Sequence, residues 1–118
     1  MHEVSEENAK AAEEHAITSQ KQAKSTRETG KLLQQLGEPQ STHGELIEKY
    51  GNAAQKHADT SLKHAQAARK QNENSTEEFV KASQEHVKQN QEHLKATKEY
   101  MKVVKNWKLR KRNNEHLS

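Results

Sequence analysis

Asn72-Glu73-Asn74-Ser75-Thr76-Glu77-Glu78-Phe79-Val80 is the stretch on which the fold turns, because it lies between two long runs that could otherwise form one helix. Ser75-Thr76-Glu77-Glu78 has the form of a capping box, in which a hydroxyl and a carboxylate three residues later satisfy each other's backbone amides at a helix start. Asn and Ser side chains in the same cluster offer the backbone alternatives to helical hydrogen bonds. An uninterrupted helix would waste these groups. The spacing therefore predicts a break at 72–75, with a helix over 76–110 beyond it and a frayed basic tail at 111–118.

Upstream, Gly37 follows the apolar cluster Leu32-Leu33-Leu36 and Pro39 comes two residues later, the chemistry of a helix C-terminus. A first helix is expected over 5–36, capped by Ser5 and carrying Glu6 and Glu7 where they complement the amide dipoles. A loop at 37–44 should lead into Thr42-His43-Gly44-Glu45, a second capping box, and so into a helix over 43–71. The fold expected is a single all-α domain over 1–118, an elongated up-down-up three-helix bundle with coiled-coil-like heptads. The alternative runs helices two and three together as a long helical hairpin that dimerises. Counted straight through Asn72, its heptads put Phe79, His86, His93, Tyr100 and Trp107 at a, and Ala82, Ala96 and Val103 at d.

In the three-helix reading, helix one places Ala9, Ala16, Ala23 and Gly30 at a, with Ala12, Ser19, Thr26 and Leu33 at d. Helix two gives Gly51, Ala58 and Ala65 at a, and Ile47, Ala54, Ser61 and Ala68 at d. Helix three gives Val80, Val87, Leu94 and Met101 at a, and Ser83, Asn90, Thr97 and Val104 at d. Small residues along such a midline let helix axes approach closely. Residues 11–27 and 53–69 share nine identities, among them His15/His57, Ala16/Ala58, Thr18/Thr60, Ser19/Ser61 and Arg27/Arg69, which reads as duplication of one helical unit. Gln84-Glu85-His86-Val87-Lys88 also recurs seven residues later as Gln91-Glu92-His93-Leu94-Lys95.

Only 29% of the 118 residues are hydrophobic and 31% are charged, which excludes a thick core. Of four Gly and one Pro, Gly37, Pro39, Gly44 and Gly51 fall within one short span, so apart from Gly30 the rest lacks breakers and favours long helices over disorder. Without cysteine there can be no disulfide, thiolate metal site or cysteine nucleophile. No apolar run approaches a membrane span, and the start at Met1-His2-Glu3-Val4 lacks the basic and apolar segments of a leader, so an intracellular, cytoplasmic protein is expected.

Candidate chemistry is sparse. Five of the eight histidines, His15, His57, His64, His86 and His93, share one heptad column with Tyr50, Phe79, Tyr100 and Trp107. A heptad places two histidines about 10 Å apart along a helix, too far for one metal ion to bridge, so no metal or other cofactor is expected. The five are candidate pH sensors, whose protonation near pH 6 should loosen the bundle and lower helicity or melting temperature between pH 7 and 5.5. Glu13-Glu14 and Glu77-Glu78 fall at exposed or capping positions, and no Ser or Thr has an Asp-His partner, so neither an enzyme nor a small-molecule substrate is expected.

Residues 95–112 carry eight Lys/Arg against the single acid Glu99. Tyr100, Val104 and Trp107 are interleaved with Lys102, Lys105, Lys108, Arg110, Lys111 and Arg112, a basic amphipathic pattern suited to an anionic membrane or to nucleic acid. Lys108 to Arg112 also fits a nuclear-localisation cluster. The leading expectation is a structural or adaptor module acting through protein–protein helix packing or self-association. Peripheral membrane or nucleic-acid binding through 95–112 is the first alternative. A hydrophilic stress-protectant helix former, suggested by the Ala, Lys, Glu and Gln bias, is the second.

Overall fold

Ser5 stands in extended conformation and its hydroxyl accepts from the Asn8 amide at 3.1 Å, closing the start of the first helix. The computed structural model describes residues 4–117, with side chains described to 112. They form α1 (Glu6–Gln34), α2 (Gln40–Arg69) and α3 (Ser75–Leu117). The helices run up, down and up in a slender body of 70 × 21 × 15 Å, so the three-helix bundle forms and the uninterrupted hairpin does not.

The boundaries differ from those expected, each for a local reason. α2 starts directly after Pro39, whose fixed φ suits a helix entrance. Thr42 then spends its hydroxyl on Glu38 Oε2 at 2.6 Å instead of capping, and the loop is 35–39 rather than 37–44, with Gly37 at φ +77°. The second turn lies at 70–74, where Gln71 takes φ +53° and Asn72 accepts from the amides of Ser75 and Asn74. α3 does not fray at 111 but continues to Leu117, since no Gly or Pro interrupts it.

Glycine decides how α1 meets α2. A Cβ on Gly30 would fall 2.6 Å from Glu48 N and 2.7 Å from Gly44 O, and one on Gly44 would fall 2.6 Å from Gly30 O. The two backbones touch, and alanine at either position would force them apart. Gly44 is thus part of the helix seam and not of a loop. Farther along, Glu13 meets Arg69 at 2.6 Å and Gln20 meets Asp59 at 2.8 Å, so the two similar segments 11–27 and 53–69 lie against each other antiparallel.

The buried positions of α1 are Ala9, Ala16, Ser19, Ala23, Gly30 and Leu33. Those of α2 are Gly44, Ile47, Gly51, Ala54, Ala58, Ser61, Ala65 and Ala68. Both follow the expected heptads. α3 does not: it buries Ser75, Ala82, Gln89, Ala96 and Glu99, while Val80, Val87, Leu94 and Met101 remain 47%, 54%, 53% and 60% exposed. Its frame is the one counted straight through Asn72, kept across a real turn. The small seam of α2 explains the choice. Ser61 donates to the carbonyl of Ala82 at 2.8 Å in a buried contact, an approach that a large midline side chain would prevent. Larger residues gather at one end, where Leu33, Ile47 and Ala96 pack with Tyr50 and Val103.

Candidate interaction surface

Along the α2–α3 contact the heptad becomes a ladder. His43, Tyr50, His57 and His64 descend α2 at seven-residue intervals while Glu99, Glu92, Glu85 and Glu78 ascend α3 at the same interval. His43 Nδ1 meets Glu99 Oε2 at 2.6 Å, His57 meets Glu85 at 2.7 Å and His64 meets Glu78 at 2.5 Å, each imidazole donating to a carboxylate. Every Glu also has a lysine three residues later: Lys102 at 2.9 Å from Glu99, Lys95 at 3.2 Å from Glu92, Lys88 at 3.3 Å from Glu85 and Lys81 at 3.9 Å from Glu78. At the rung without histidine, Tyr50 lies 6.0 Å from Lys95 Nζ.

The ladder lowers the carboxyls of Glu78, Glu85 and Glu99. Burial pushes the Glu85 and Glu99 carboxyls up, but the hydrogen bonds from His57 and Lys88, and from His43 and Lys102, outweigh it and hold both below the usual range. The His64 hydrogen bond does the same for Glu78 against a smaller effect of burial. His86 is the opposite case. Desolvation, then the nearby His15 ring 5.9 Å away, lowers its tendency to protonate, and Ser19 Oγ stands 3.4 Å from its Nδ1.

The five candidate histidines therefore occupy three environments. His57 and His64 are rungs, His86 and exposed His15 form a pair between α3 and α1, and half-buried His93 has an Nδ1 with no hydrogen-bond partner. Among the described residues no three His, Asp or Glu side chains converge on a point where a metal ion could sit. His43 and the four glutamates were missed in the sequence. Their signal was legible as four consecutive heptads, Glu78-Phe79-Val80-Lys81, Glu85-His86-Val87-Lys88, Glu92-His93-Leu94-Lys95 and Glu99-Tyr100-Met101-Lys102.

Each of those heptads also contributes one large aliphatic residue to the face of α3 turned away from the bundle. Val80, Val87, Leu94 and Met101 make a stripe beside exposed Ser83, Asn90 and Thr97. The candidate residues at the basic end divide. Lys102 is tied to Glu99, Tyr100 borders a cleft between α1 and α3 floored by Ile47, and Val104 is half-buried. Trp107 is 55% exposed with Lys111 Nζ 5.3 Å from its ring, and Lys105, Lys108, Arg110 and Arg112 are exposed.

No family model, curated protein or solved structure matches the chain. No described helix is long and apolar enough to cross a membrane.

Proposed function

We infer that the protein is a non-enzymatic helical interaction module whose binding element is α3, and that it acts by packing another helix, from a partner protein or a second copy, against the outward stripe. The observation that supports this reading is the inversion of side-chain size across α3. Alanines and a glutamine face the bundle, while Val80, Val87, Leu94 and Met101 stand about half exposed at heptad spacing. Large apolar side chains recurring every seven residues are what an opposing helix needs for knobs-into-holes packing, and contiguous exposed apolar patches mark interaction sites. The small-residue seam is consumed within the chain. The stripe replaces it.

A photo-crosslinking residue at Leu94, compared with one at exposed Lys24 on α1, tests the reading. A discrete adduct from position 94, whether of two copies or of this chain with another protein, with none from position 24, is expected. Absence of any adduct at 94 would count against the module.

A further inference from the structure

Beyond Val103 the environment of α3 changes. α2 begins at Gln40 and His43 is already level with Glu99, so the last turns of α3 run past the end of the helix beside them. α3 has 43 residues against 29 in α1 and 30 in α2. At 1.5 Å per residue that excess is about 20 Å of helix. From Trp107 to Arg112 every residue is exposed.

The lysines change with it. Lys81, Lys88, Lys95 and Lys102, beside the bundle, each have a glutamate within 4.0 Å. Among the described residues no carboxylate pairs with Lys105, Lys108, Arg110 or Arg112. Apolar groups are set among these cations: Met101, Val104 and Leu109 line a shallow groove of about 470 Å³ whose rim carries Lys105, Lys108 and Arg112. Trp107 lies one turn beyond Val104, on the side of the helix away from Leu109.

The geometry points to an anionic lipid surface as the occupant of this free end of α3. A second copy of the segment would bring its Lys and Arg residues from 105 to 112 against like charges. Nucleic acid would satisfy the cations through phosphates but would leave Val104 and Trp107 in water. An anionic bilayer satisfies both sets. Lysines and arginines reach the headgroups on long stems, Trp107 sits at headgroup level, and Val104 beside it faces the acyl boundary. Because the segment lies past the packed part of the bundle, it can lie flat on a surface without disturbing the ladder. This site shares only Met101 with the outward stripe and makes no use of Val80, Val87 or Leu94, so either can fail without the other.

Trp107 is the one tryptophan in the chain, so its emission reports on this segment alone. The full chain is titrated with vesicles of phosphatidylcholine, with vesicles containing phosphatidylserine, and with a single-stranded oligonucleotide, at low and high salt. The expected result is a blue shift with phosphatidylserine vesicles, at least about tenfold weaker partitioning without the anionic lipid, and loss at high salt. Lys105→Glu/Lys108→Glu keeps Trp107 as the probe and should weaken partitioning about tenfold or more with unchanged helicity. Absence of a shift with anionic vesicles, equal binding to neutral ones, or a shift with the oligonucleotide alone would each overturn the proposal.

Discussion

The two faces of α3 are built by opposite rules. The inner face carries Ala82, Gln89 and Ala96, and its energy comes from close approach, the Ser61 hydroxyl on the Ala82 carbonyl, and rungs such as His57–Glu85. The outer face carries Val80, Val87, Leu94 and Met101, and leaves much of their surface in water. Hydrophobicity alone would turn the helix over. α2 prevents that, because its Ser61 draws the Ala82 backbone close and its histidines face carboxylates on α3. Shape and charge together outrank the larger side chains.

The comparison breaks most readily at Ala82. Ala82→Leu would force α3 away from α2 and separate Ser61 from its acceptor, a cost on the order of 1–3 kcal/mol that should appear as a lower melting temperature and earlier urea midpoint. Gln89 is the inner face's weak point, because it is fully buried, gives its amide to Gln22 Oε1 at 2.9 Å and leaves its own Oε1 without a partner. Gln89→Met keeps the volume and removes the orphan, so stabilisation of about 1 kcal/mol is expected in urea unfolding.

A smaller effect, but one with a distinctive pH signature, belongs to the ladder. Glu85 is held below the usual carboxylate range in the fold, so its contribution is complete above the unfolded pKa and is lost as pH falls through the folded one. Glu85→Gln should cost about 0.2–1 kcal/mol at pH 7, as partly exposed pairs do. The difference from wild type should persist while Glu85 stays ionised and vanish in strong acid. His86 has the opposite sign. Its proton is disfavoured in the fold, so stability is fully present above the unfolded histidine pKa and falls as pH drops below it. His86→Leu should flatten that part of the melting profile between pH 7 and 5.5. If Glu85→Gln and His86→Leu changed the profile in the same direction, the division of the histidines into rungs and a desolvated pair would fail. Smallest of all should be Val87→Gln, within about 0.5 kcal/mol of wild type in dilute solution, because Val87 is 54% exposed.

The sequence made α1 and α2 legible because each has a single run of Ala, Gly and Ser at a and d, and only one face can close onto it. α3 carries two heptad stripes that compete, and ranking by hydrophobicity selects Val80, Val87, Leu94 and Met101. The deciding information lies in another helix. Glu78, Glu85, Glu92 and Glu99 acquire meaning only when α2 runs antiparallel and brings His64, Tyr50 and their neighbours into step. The capping boxes misled at Thr42 for a similar reason, since Pro39 could start the helix earlier and Glu38 offered the hydroxyl a nearer acceptor. At the basic end, composition was legible at once. Its separation into glutamate-bound Lys102 and the free group from Lys105 onward required knowing where α2 begins.

The orientation of α3 is tested most directly by thermal melting, in dilute solution at pH 7, of two variants that place the same charge two residues apart. Leu94→Glu puts the carboxylate on the outward stripe and should leave helicity and the cooperative transition close to wild type. Ala96→Glu buries it against Leu33 and Ile47 and should abolish the transition or shift it down by many degrees. The reverse ranking, with Leu94→Glu unfolding the chain and Ala96→Glu tolerated, would mean that the aliphatic stripe faces the bundle.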